Sequence, residues 1–61
     1  SMDKEELFNK WESELHDKYA EDEKMMDQDF CSIALGFFIA KGLTLDESYE
    51  MYQFCISKGK W

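Results

Sequence analysis

Between Phe30 and Lys41 the chain reads FCSIALGFFIAK and carries no charge until the closing lysine. At helical spacing Phe30, Ile33, Ala34 and Phe37 cover one side and Cys31, Leu35, Phe38 and Ile39 the other, leaving a thin seam of Ser32, Gly36 and Ala40. A helix apolar nearly all round needs burial nearly all round, so this stretch is expected at the centre of the fold. Before it, Leu7, Trp11, Leu15 and Tyr19 recur every four residues with Phe8 beside them, the stripe of an amphipathic helix. After it, Leu45, Tyr49, Tyr52 and Ile56 line one face, with Ser48, Met51 and Cys55 adjoining and Phe54 apart.

The ends of these segments carry their own signals. Asp3 with Glu6 and Thr44 with Glu47 have capping-box spacing, and Gly42 and Gly59 suit left-handed helix ends. Glu6 to Lys10 and Glu14 to Lys18 have the spacing of ion pairs on a wet helix surface. The stretch AEDEKMMDQD is where the first helix must end, at Glu21 or as late as Lys24, with Asp27 or Asp29 capping the next. These signals predict an all-α fold, a small bundle of three short helices over Asp3–Glu21, Gln28–Lys41 and Leu45–Lys58, completed by homodimerisation. A continuous helix from Asp3 to Lys41, a long helix plus a short one in a dimer, is the alternative. The expected core is Trp11, Leu15, Ile33, Phe37, Tyr49, Tyr52 and Ile56. A hairpin about Leu43 sets Cys31 level with Cys55, so a disulfide is geometrically allowed, although buried free cysteine is the commoner state in a reducing cell.

Length and charge sharpen this picture. Sixty-one residues make one helical domain over residues 1–61, with Ser1 read as a remnant of tag cleavage. A core so small usually needs outside support, and two cysteines are too few for a disulfide scaffold. A second subunit is the support this sequence offers. The seam Ser32, Gly36 and Ala40 permits close backbone approach and is assigned, with Phe38, to that dimer contact. No run of about 20 apolar residues is present to span a bilayer, and no signal-peptide pattern occurs, so a cytoplasmic protein without membrane contact is expected. The net charge of −7 lies wholly in the first half, where eleven acids up to Asp29 face four lysines, while the remainder is balanced. With no arginine, direct binding to nucleic acid is not expected.

Candidate chemistry is sparse. No nucleophile with a base at suitable spacing, glycine-rich phosphate loop or zinc-ligand set is present, so neither an enzyme nor a cofactor or metal site is expected. Asp27 and Asp29 alternate as in the opening of a calcium loop, but Phe30 and Cys31 follow where oxygen ligands are needed. Met25 and Met26 fit adaptable packing under the connection. His16, beside Asp17 and near Glu12, is read as exposed. A DNA-reading helix-turn-helix fails because the second helix opens with Leu45, Asp46 and Glu47, which phosphate repels.

The expectation that remains is a small acidic protein-interaction module that binds a larger protein and inhibits or regulates it. Phe8, Phe54 and Trp61, surplus to one small core, and the acids Glu12 and Asp17 are its candidate partner-binding residues. In size, acidity and helical design the chain resembles small phage-encoded proteins that inhibit host enzymes or host defence systems, a resemblance that implies a counter-defence role. Two alternatives stand beside it: a nucleic-acid mimic whose carboxylates block a basic groove, and a structural assembly subunit.

Overall fold

Asp29 divides the chain. Its backbone is extended (φ −77°, ψ 93°), and its carboxylate accepts hydrogen bonds from the backbone N–H groups of Cys31 at 3.0 Å and Ser32 at 3.4 Å. The Ser32 hydroxyl donates to the same carboxylate at 2.8 Å, and this bond is the chief cause holding its pKa below the usual range. Such a residue is an N-cap, and a helix cannot run through it. A helix unbroken from Asp3 to Lys41 would measure about 58 Å at 1.5 Å per residue. The longest dimension of the molecule is 34 Å, so the long-helix alternative is overturned.

The computed structural model describes residues 3–21 and 29–60, which form three helices with no strand among them. The first consists of α1 (Lys4–Trp11), a π-helical segment (Glu12–His16) and α2 (Asp17–Glu21); α3 (Phe30–Ala40) and α4 (Leu45–Ser57) follow. Lys24, Met25, Met26, Asp27, Gln28 and Trp61 lie outside the described residues. The all-α bundle is thus observed close to its expected boundaries.

The hairpin of α3 and α4 is fixed by local chemistry. Gly42 takes φ +101°, so its N–H reaches the Ile39 carbonyl at 2.9 Å and the Leu43 N–H reaches that of Phe38 at 3.1 Å. Thr44 and Glu47 then form the full capping box, with Oγ1 accepting from the Glu47 N–H at 3.1 Å and Oε1 from the Thr44 N–H at 2.8 Å. Gly59, at φ +80°, closes α4 in the same manner as Gly42 closes α3. The box expected at Asp3 and Glu6 does not form: Asp3 makes no side-chain cap bond.

α1 lies across one side of the hairpin and brings its aromatic residues inward. The core is Leu7, Phe8, Trp11, Ala34, Phe38, Met51 and Cys55, with Ser48 and His16 also buried. The Trp11 ring lies 5.6 Å from Phe37 and 6.0 Å from Phe38, while Phe8 meets Phe54 edge-on at 6.1 Å. The Trp11 indole N–H donates to the Lys60 carbonyl at 2.8 Å, tying the end of α4 to the first helix.

Of the expected core, Trp11 is fully buried, and Leu15, Ile33, Phe37 and Tyr52 pack partly against it. Tyr49 and Ile56, expected inside, are instead exposed. α4 is turned so that Ser48, Met51 and Cys55 face inward, because the small side chains of Ser48 and Cys55 let α1 and α3 approach closely where tyrosine would not. His16, expected at the surface, is the second correction. The π-helical turn is wider than an α turn, so the residue five after Trp11 comes round beneath it, and His16 takes the inward place expected for Leu15.

Candidate functional site

The packing of α4 decides what the outer surface offers. Phe54 faces α1, Ser48, Met51 and Cys55 face inward, and Leu45, Tyr49 and Ile56 lie on the side turned away from α1. Tyr52 borders α3 at Cys31, where burial first and then that thiol push the phenol pKa up. The row Cys31, Leu35 and Ile39 therefore runs along α4, and one step further out lies the row Ser32, Gly36 and Ala40. The exposures of Ile39 (47%), Leu45 (55%), Tyr49 (48%) and Ile56 (40%) mark them as the large hydrophobic residues left open to solvent among the described residues. Helical periodicity sets them on the side of α3 and α4 turned away from α1. No charged side chain occurs in α3, and the α4 strip Leu45, Tyr49, Tyr52 and Ile56 is uncharged too.

The opposite side of the molecule is charged, and much of its charge is internally paired. Lys41 reaches Glu14 at 3.2 Å, Lys58 reaches Glu5 at 2.9 Å, and Lys60 reaches Asp17 at 3.1 Å and Glu12 at 3.5 Å. Every lysine after Asp29 is thus engaged with an acid of the first helix. These pairs replace the Glu14 to Lys18 contact expected within the helix; being exposed to water and salt, each contributes little to stability. Asp17 also lies 3.2 Å from Nδ1 of His16, and the hydrogen bonds from His16 and Lys60 hold its carboxyl below the usual range. The same contact with Asp17 raises the Lys60 pKa. His16 itself is packed between Trp11 at 5.9 Å and Phe30 at 5.2 Å.

The sequence-derived site residues fall into separate places. Ser32, Gly36 and Ala40 are exposed on the outer side of α3, with the Ser32 hydroxyl bonded to the Asp29 carboxylate. Phe38, assigned with them, is fully buried against Trp11 and Phe37, so it has no surface to give to a second subunit. Phe8 is buried too, and Phe54 is half-buried beside it with the Lys58 ammonium 5.4 Å above its ring. Neither is a free anchor for a partner. Glu12 and Asp17 are engaged with Lys60, and Trp61 lies outside the described residues. Ile39, Leu45, Tyr49 and Ile56 were not singled out from the sequence as exposed together, because the hydrophobicity of the α4 stripe points it inward.

Other sites carry less. A cleft of about 290 Å³ opens between the start of α1 and the hairpin turn, lined by Lys4, Leu7, Lys41, Gly42, Leu43, Glu47, Glu50 and Met51. Its Lys41 and Glu47 are held by Glu14 and by the capping box. Among the described residues no three His, Cys, Asp or Glu side chains are placed to hold a metal ion, and no helix is long and apolar enough to cross a membrane. Both cysteines are free thiols. No protein-family model, curated protein or solved structure matches the chain.

Proposed function

We propose that this chain is a non-enzymatic protein-interaction module that binds a larger protein and inhibits or regulates it through the uncharged face of α3 and α4. One observation carries the reading: Ile39, Leu45, Tyr49 and Ile56 are all exposed at helix positions turned away from α1, in a molecule whose net charge is −7. Half-exposed large apolar side chains gathered on one side, flanked by polar surface, are the usual mark of a protein contact. The size and acidity shared with small phage-encoded inhibitors make a host enzyme or defence component the class of target. The free thiols of Cys31 and Cys55 fit a reducing, cytoplasmic setting.

The nucleic-acid mimic draws less support from the fold. A mimic needs an unbroken row of carboxylates, whereas Lys41, Lys58 and Lys60 interrupt it by pairing with Glu14, with Glu5, and with Glu12 and Asp17 together. Salt separates the two readings. Capture of a target by the immobilised chain should survive a rise in salt from about 0.05 to about 0.5 M and should be lost in Tyr49→Glu, because an apolar contact is not screened and tolerates no buried carboxylate. Capture that collapses with salt and ignores Tyr49→Glu would show that the acids of the first helix do the binding.

A further inference from the structure

Gly36 has no role inside the chain that the structure reveals. It lies in the interior of α3, with no positive φ, and a Cβ built on it meets nothing within 4 Å among the described residues. Neither a left-handed turn nor close packing against α1 or α4 accounts for it. Glycine in a helix interior nevertheless weakens the helix relative to alanine. An absent side chain at the centre of an exposed seam has its use when another backbone comes close from outside.

We propose that the occupant of this face is a second copy of the chain, in a weak two-fold dimer whose α3 helices cross at Gly36. The proposal rests on the reading of the α3 and α4 face as the contact surface and names its partner when no target is bound. A two-fold contact uses the same patch twice, so the patch must hold both projections and a hollow to receive them. This one offers both: Ile39 on α3 and Tyr49 on the adjoining α4 are exposed large side chains, and Ser32, Gly36 and Ala40 are exposed small ones.

Charge and area select this occupant and set its strength. The first helix with its Asp3 cap carries seven of the eleven acids among the described residues and packs against Phe54 and Phe37, away from the exposed Ile39 and Tyr49, so contact through α3 keeps these acids of two copies apart. Acids stand only at the edges of this face, Asp29 bonded to Ser32 at the start of α3 and the exposed Asp46 and Glu50 on α4, so two copies crossing at Gly36 meet over its uncharged middle, whereas a basic partner finds more carboxylates on the first helix. α4, with 13 residues, is about 20 Å long, and two helices side by side are roughly 20 Å wide, so the footprint is on the order of 400 Å² per copy. That total of about 800 Å² for the pair lies below the standard range for stable complexes, so the dimer dissociates in the micromolar to millimolar range and yields the face to a tighter-binding target. The monomer keeps its own core meanwhile, which makes dimerisation reversible rather than a condition of folding.

Sedimentation velocity from about 10 µM to about 2 mM, paired with thermal melts at the lowest concentration, tests this on the parent chain, Gly36→Ala and Tyr49→Glu. The parent should pass from monomer to dimer across the series, and more completely as salt is raised. Gly36→Ala should melt at a higher temperature than the parent as a monomer yet dimerise about tenfold more weakly or worse, because the new methyl group stands at the crossing in both copies. Tyr49→Glu should keep its melting temperature and remain monomeric throughout. A parent that stays monomeric at about 2 mM overturns the second copy as occupant; the contact-face reading then survives if Tyr49→Glu still abolishes salt-resistant target capture and fails if it does not. A dimer that tolerates both substitutions overturns the second copy at this face.

Discussion

Phe38→Ala examines the packing most severely, because the sequence alone places this residue at the surface and the structure places it in the centre. Its ring is fully buried, with Trp11 at 6.0 Å and Phe37 at 5.4 Å. Truncating a buried phenylalanine costs about 3–5 kcal/mol, the loss combining transfer free energy with the cavity left behind. Two aromatic contacts are lost as well, each worth about 0.5–1.5 kcal/mol, which puts the expected cost near the top of that range. A chain of 61 residues has a total stability of about 3–9 kcal/mol, so the variant should lose at least half of it and unfold at a much lower urea concentration than the parent, or without urea. The neighbouring Ile39→Ala removes a side chain already 47% exposed and should cost about 1 kcal/mol or less in the monomer. Urea titrations followed by circular dichroism, at a concentration low enough to keep the chain monomeric, measure both. If Phe38→Ala unfolds at the parent's midpoint, or Ile39→Ala proves as costly, α3 is not turned with Phe38 inward and Ile39 outward.

The other predictions probe the interior of α4 and its thiols. The buried Ser48 hydroxyl has no hydrogen-bond partner among the described residues, so Ser48→Ala should raise stability by about 1–2 kcal/mol in the same titration, and a loss of that size would show the hydroxyl to be satisfied. Burial pushes the Cys55 pKa from 9.0 up to about 11, so the folded state resists the thiolate. This raised value makes its contribution complete below about pH 9 and progressively lost between about pH 9 and 11; a loss of about 2–3 kcal/mol is expected there in the parent and largely absent in Cys55→Ala, and identical alkaline curves would refute it. A thiol reagent at neutral pH should label the half-buried Cys31 quickly and Cys55 only on unfolding, and equal rates for the two would contradict the burial of α4's inner face.

The fold was legible in the chain because its signals are local. Thr44 with Glu47, Gly42, Gly59 and Asp29 act through the backbone within a few residues, so they fix element ends whatever the tertiary packing. The rotation of each helix was less legible. In α4 the stripe of Leu45, Tyr49, Tyr52 and Ile56 is the more hydrophobic, and hydrophobicity alone points it inward. What turns it outward is room: in so small a bundle, Ser48 and Cys55 admit neighbouring helices that the tyrosines exclude. In α3 an almost continuous apolar surface gives periodicity nothing to discriminate, so Phe38, expected at a subunit contact, lies inside while its neighbour Ile39 lies outside. The π-helical turn that buries His16 carries no composition signal. The seam at Gly36 was visible as a pattern, but choosing between packing inside the chain and contact outside it needed the empty space beside Gly36.

If the uncharged face of α3 and α4 is the surface through which the protein meets other proteins, its own copy included, backbone amide chemical shifts followed by NMR from about 20 µM to about 2 mM report it directly. Concentration-dependent shifts are expected at Ser32, Gly36, Ile39 and Ala40 on α3 and at Leu45, Tyr49 and Ile56 on α4, with the amides of Glu5, Glu12 and Asp17 unmoved. Shifts centred on the first helix, or none on α3 and α4 at the highest concentration, would contradict that role for the face.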